Sequence, residues 1–171
     1  MPSQLLQALP TSLEFPFGKG DTVLLCNSRT DGELQFLMVE HSMSSCFAVP
    51  IVAQVHVVFS FSKTKNNPLP PPLKGPLLFI QFFKVVDGPN NVTKMYKLQQ
   101  GHFLRSGGQS HHATGIIPIT TVTHAVELIP VYGHQHNCEA TANVSLEVYN
   151  ELYLNNYSDK EWYHTISDEY L

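Results

Sequence analysis

The residues with the most evident capacity for chemistry are His134-Gln135-His136-Asn137-Cys138, which follow Val131-Tyr132-Gly133. In an extended segment alternate residues project to one side. Two imidazoles and a thiolate at alternate positions can therefore approach one zinc ion, with His124 or the pair His111-His112 completing four ligands. The H-x-H-x-C spacing lies outside the usual structural zinc spacings. The competing reading is a polar loop whose imidazoles titrate near neutrality, with no cofactor in the protein. A second candidate is a set of rings. Phe82, Tyr96, Tyr132 and Tyr153 offer apolar faces, three of them with a polar tip, which suits a surface that binds a protein partner.

Other constellations carry less. No Gly-x-Ser-x-Gly elbow accompanies the Ser, His and Asp residues. Ser106-Gly107-Gly108-Gln109-Ser110-His111 is glycine-rich but lacks the lysine and following helix of a phosphate cradle. Asp159, Glu161, Asp168 and Glu169 read as a solvated helix end and tail rather than an acid–base pair. The expectation is a protein that is not an enzyme. Net charge is −4, from 10 basic and 14 acidic residues. That opposes a phosphate-backbone binder, and Lys63, Lys65, Lys74 and Lys84 around the proline-rich segment do not form a run that would reverse it. Direct DNA binding remains an alternative that the charge disfavours.

A chain of 171 residues, 43% of them hydrophobic, can bury roughly 70% of its unfolded surface without staples. Charged residues are 14%, against the usual ~25%. The N-terminal residues lack a basic n-region and a signal-length apolar stretch. Residues 49–61 and 76–86 are too short to span a bilayer. The expected location is nuclear or cytoplasmic, not secreted and not in a membrane. Cys26, Cys46 and Cys138 then read as reduced thiols. The sequons at Asn91, Asn143 and Asn156 would not meet the glycosylation machinery in that compartment.

The elements that must position these residues are mostly strands. Val23-Leu24-Leu25-Cys26 follows a Gly-Asp turn, and Asp31-Gly32 predicts a hairpin that pairs it with residues 34–39. Residues 49–61 alternate, with Val55, Val57, Phe59 and Phe61 on one face and Gln54, His56 and Ser60 on the other. Residues 66–72 read as a stiff polyproline loop. Residues 77–86, LLFIQFFKVV, are apolar on both faces, which predicts a central strand. A turn at 87–91 precedes a short strand at 95–98, and 101–114 reads as a polar loop. Strands are expected at 116–119 and 124–131, a short helix within 143–150, and a return to strand within 149–157. Ser158 with Glu161 forms a capping box for a helix at 159–166, on which Trp162 is the anchor. Short strands with turn signals and little helix predict a mainly β fold, a small curled sheet or barrel with one or two short helices. The boundaries are an N-terminal arm at 1–17, one domain at 18–166 and a frayed end at 167–171.

Several segments, taken in order, resemble a known family. They are Val52-Ala53-Gln54-Val55-His56-Val57-Val58-Phe59, Pro76-Leu77-Leu78-Phe79-Ile80-Gln81-Phe82-Phe83, Met95-Tyr96-Lys97-Leu98 and Ile116-Ile117-Pro118-Ile119. The segments His124 to Gly133, Asn143 to Glu147 and Tyr153 to Asp159 follow. Together they look like the C-terminal region of fungal transposon-encoded proteins of the Plavaka and Kyakuja–Dileera–Zisupton type, over roughly residues 50–165. The acidic catalytic core of those transposases is absent, so the resemblance implies an accessory domain and not transposition. The order is also similar to a bromo-adjacent-homology (BAH) barrel, through Gly20-Asp21-Thr22-Val23, Ala53 to Val58, Phe82-Phe83 and Ile117-Pro118-Ile119-Thr120-Thr121-Val122. Phe82 stands where the BAH pattern carries Trp, and Val85-Val86 replace its basic residue and proline. The resemblances imply a chromatin-associated, BAH-like interaction module whose partners are a histone tail or other transposase subunits.

Overall fold

The alternating apolar runs form the strands of an antiparallel sheet in a computed structural model, which describes residues 6–13, 19–25, 51–62, 70–104, 110–132, 141, 144–155 and 157. The strands are β1 (Ala8–Leu9), β2 (Lys19–Gly20), β3 (Thr22–Leu25), β4 (Ile51–Phe59), β5 (Leu77–Asp87) and β6 (Lys97–Gln100). After these come β7 (His102–Leu104), β8 (Ser110–His112), β9 (Thr114–Pro118), β10 (Val122–Val126), β11 (Leu128–Pro130) and β12 (Glu151–Leu154). Helix α1 is one turn, Ser145–Val148, and 3-10 turns lie at Pro71–Leu73 and Ile119–Thr121. The fold is mainly β, as its composition predicts.

The main sheet runs β10-β3-β4-β5-β6-β12-β11, with β9 paired to β5 beside that path. The two terminal strands, β10 and β11, are consecutive in the chain and separated by Glu127 alone. One residue therefore carries the chain from one edge of the sheet to the other, and the sheet curls into a nearly closed barrel. Closure removes most of the free edge that an open sheet would expose. It also explains why the run read as one strand at 124–131 divides at Glu127, where Asn155 N–H and Nδ2 bind the Glu127 carbonyl and carboxylate.

Successive strand residues face opposite ways, and this chain uses both faces. Leu24, Val52, Phe83, Tyr96, Leu98, Val126, Leu152 and Leu154 fill one cluster, drawn from nearly every barrel strand. It is the barrel interior, with α1 contributing Leu146 at its margin. Their neighbours Val23 and Ala53 point outward, into a second cluster with Val55, Leu78, Ile80 and Ile117. Leu6 and Ala8 pack on that outer layer. The residues read as an N-terminal arm thus include β1, which pairs with β2 at Ala8↔Gly20. β5 is central because it is buried from both sides, as LLFIQFFKVV requires.

Two features differ from the sequence reading. β4 carries a bulge between Val55 and Val57, which pair with Ile80 and Phe79. His56 is the extra residue, so Val57 lies on the Gln54 face and not on the Val55 face. The segment read as a polar loop at 101–114 contains the hairpin β7–β8 and the start of β9. The helix read within 143–150 and the strand within 149–157 stand, shortened to α1 and β12. β3 pairs with β4 and β10. Residues 34–39, the helix at 159–166 with Trp162, and the frayed end at 167–171 lie outside the described residues. No helix among the described residues is long and apolar enough to cross a membrane.

Candidate functional site

The four aromatic residues take different places in the fold. Tyr96 is 3% exposed and belongs to the barrel interior. Phe82 is half-buried and packs on the outer cluster, on the opposite side of the sheet. Tyr132 is 69% exposed and meets Tyr149 edge-on at 5.4 Å. Tyr153 is half-buried on β12, opposite Lys97 and Ile129. A cage for a methylammonium needs several rings around one cavity. Tyr96 and Phe82 lie on opposite sides of the sheet, so these two rings do not line one cavity. The candidate metal residues His134, His136 and Cys138 lie outside the described residues. Among the described residues no group of three or more His, Cys, Asp or Glu is placed to hold a metal.

The structure brings together different residues. Beyond the barrel, β4, β5 and β9 form a three-stranded wing. Val57, Phe79 and Ile116 are direct cross-strand neighbours there. They are 47%, 36% and 50% exposed, so an apolar row crosses the wing in contact with solvent. Phe61, also exposed, meets Phe59 edge-on at 5.6 Å. Below the row, Thr22, Gln54 and Gln81 occupy consecutive strands in register and are buried. Thr22 Oγ1 donates to the Val126 carbonyl. The His56 ring stands 6.0 Å from Phe79, and its Nε2 is buried without a hydrogen-bond partner among the described residues. The β4 bulge turns Val57 onto this face, and sequence periodicity alone carries no mark of it.

Beside the row lies a strand edge. Among the described residues β9 pairs with β5 and with no other strand. The bonds Phe82 N–H to Ala113 O and Ile119 N–H to Pro76 O set the phase of the ladder. In an antiparallel pair the bonded and non-bonded positions alternate. Phe79 and Ile116 are therefore a non-bonded pair, and the N–H and C=O groups of Thr114 and Ile116 point away from β5. Pro118 ends this edge, because it has no N–H and its carbonyl accepts the Thr121 hydroxyl at 2.7 Å.

A branch point positions the wing against the barrel. β5 pairs with β9 at residues 77–81 and with β6 at residues 83–87. Between them Gly101 N–H donates to Phe82 O at 2.8 Å, Phe82 N–H to Ala113 O at 2.7 Å, and Ala113 N–H to Gly101 O at 2.7 Å. This closed triangle of backbone bonds lets hairpin β7–β8 leave the sheet. A Cβ on Gly101 would lie 2.7 Å from Phe82 O, so only glycine allows the three strands to meet.

On the barrel exterior, Lys97 and Glu151 form an ion pair at 2.7 Å, and Gln99 Nε2 donates to Glu151. The hydrogen bond to Lys97 holds the Glu151 carboxyl below its usual value, and the bond to Glu151 holds the Lys97 ammonium above its own. The Glu151 contribution to stability is complete above the ordinary carboxylate pKa of about 4.3 and is lost as pH falls through the lowered folded value. The Lys97 contribution is complete below about pH 10.4 and is lost as pH rises through the raised value. Both side chains are partly open to solvent, so the effect of the pair is small. Glu151→Gln is expected to lower the melting temperature slightly at pH 7 and to leave it unchanged at pH 2. Equal shifts at both pH values would show that the ion pair is not the cause.

Comparison of the chain with protein-family models, with curated proteins and with solved structures returns no match. The likenesses to transposon-encoded proteins and to the BAH barrel rest on the segments quoted above.

Proposed function

We propose that the domain is a non-catalytic protein-interaction module, and that it binds an extended peptide along β9. The observation that carries this reading is the exposed row Val57–Phe79–Ile116 beside the outward-facing backbone groups of Thr114 and Ile116. An apolar row alone would suit many partners. Backbone donors and acceptors that are unpaired among the described residues lie beside it and call for another extended chain, which adds as a strand and lays alternate side chains on the row. The open edge ends at Pro118, so the added strand is short and depends on its side-chain contacts. A histone tail or a segment of a transposase subunit has the extended character required.

Selection of a random peptide library on the purified, tag-free chain tests the reading. Enriched peptides are expected to alternate apolar residues. They should lose binding to Ile116→Asp and keep it with Tyr153→Ala. Backbone N-methylation at alternate peptide positions should abolish binding without any change to the protein. Peptides that tolerate both Ile116→Asp and N-methylation would refute the strand-addition mode. Self-association that Ile116→Asp abolishes would make a second copy of the chain the occupant.

A further inference from the structure

The histidines that meet in this fold are not those the sequence singles out. His102 and His112 are the first cross-strand pair of hairpin β7–β8, immediately beyond the backbone triangle at Gly101. Both are exposed, and their ring centroids are 4.6 Å apart with planes inclined at 38°. Each ring is held by its Nδ1. His102 Nδ1–H donates to the Gln100 carbonyl at 2.9 Å, and His112 Nδ1 lies 3.3 Å from the Gln81 amide nitrogen Nε2. Gln81 is itself buried, so the second contact is anchored in the wall of the barrel.

We infer that His102 and His112 form a two-point site for a divalent transition ion of the zinc class. A histidine that binds metal through Nε2 commonly donates its Nδ1–H to a carbonyl, which fixes the tautomer and aims the Nε2 lone pair. His102 already has this arrangement. His112 reaches it when the Gln81 amide presents its oxygen, a half-turn that preserves the contact, since amide orientation is set by the hydrogen-bond network it joins. The rings face each other across adjacent strands with centroids 4.6 Å apart, which places both imidazoles within reach of one ion. Imidazole suits zinc and its neighbours rather than magnesium or calcium. With no third protein ligand among the described residues, water fills the remaining positions. This site is independent of the peptide-binding reading.

Calorimetric titration of Zn²⁺ into the tag-free full chain tests the site, with Mg²⁺ as the hard-ion control. His102→Gln and His112→Gln are expected to weaken one Zn²⁺ site by at least about tenfold. His111→Gln, on the opposite face of β8 and paired with Phe103, should leave that site intact. Mg²⁺ should give no saturable binding. All three substitutions are at exposed positions, and unchanged circular dichroism spectra would show that the variants fold. In histidine-detected NMR, Zn²⁺ should shift the ring resonances of His102 and His112 together. A wild-type chain without saturable Zn²⁺ binding, or wild-type Zn²⁺ affinity retained in either His102→Gln or His112→Gln, would overturn the inference.

Discussion

Gly20→Ala is expected to destabilise the fold by about 3 kcal/mol or more. A Cβ on Gly20 would lie 1.6 Å from the Val55 carbonyl oxygen and 2.8 Å from its carbon. The obstacle is backbone, not the tip of a flexible side chain. It also cannot yield alone. The Val55 N–H donates to Asp21 O at 2.8 Å, and Val55 pairs with Ile80 beside the β4 bulge. Moving the Val55 carbonyl would strain the β3–β4–β5 ladder and shift the bulge that directs Val57 outward. The methyl group therefore separates β2 from β4 or distorts the center of the sheet. Overpacking in a tight core costs about 1–3 kcal/mol and sometimes more. A clash with fixed backbone belongs at or above the top of that range, against a total stability of roughly 5–15 kcal/mol. Gly75→Ala and Gly88→Ala are the matched controls. Nothing lies within 4 Å of a Cβ at either position. Those variants should be within about 0.5 kcal/mol of the parent chain in urea unfolding. A Gly20→Ala chain with the same midpoint as Gly75→Ala would show that β2 does not sit against β4 as described.

The sequence disclosed what burial writes into composition and left out what pairing decides. LLFIQFFKVV is apolar on both faces, and β5 does pack on both faces. The separation of Val55 from Gln54 was legible for the same reason. Val57 was placed on the wrong face because one extra residue at His56 reverses the alternation beyond it. No composition signal accompanies a bulge. Hairpin β7–β8 was missed because Ser110, His111 and His112 are all exposed and bury no face. Its histidines meet only through register across an intervening segment, so spacing along the chain cannot disclose them. The sides taken by the aromatics were not legible for a third reason. A ring at the end of a barrel strand serves equally well inside or outside, and Tyr96 and Tyr153 took opposite sides of the β6–β12 ladder. Gln54 and Gln81 were a usable signal that periodicity alone undervalued. Each interrupts an apolar run, they pair directly, and both are buried.

Leu98→Ala and Leu152→Ala are expected to be the most damaging truncations of the interior. The two residues are direct partners across β6 and β12, and neither is exposed to solvent. They sit in the cluster that joins β3, β4, β5, β6, β10 and β12. This cluster is the inside of the curl, so its contacts hold strands distant in the chain rather than neighbours in a hairpin. Each truncation removes about 2–5 kcal/mol, the sum of lost transfer energy and the cavity left in a wall that collapses poorly. The double variant should cost less than the sum, because the two side chains touch and their cavities merge. Val92→Ala, at a residue exposed in the turn before β6, should change stability by less than about 0.5 kcal/mol. Chemical denaturation of the four chains measures all of these values. Strict additivity of the two leucines would mean that they do not share one cavity. A cost below about 1 kcal/mol for either would place the interior of the barrel elsewhere. The outcome bears on the peptide reading as well. β9 is held to the barrel through β5, and β5 is held through this interior. A loosened interior should therefore weaken peptide binding at temperatures well below the unfolding midpoint, whereas Val92→Ala should leave binding unchanged.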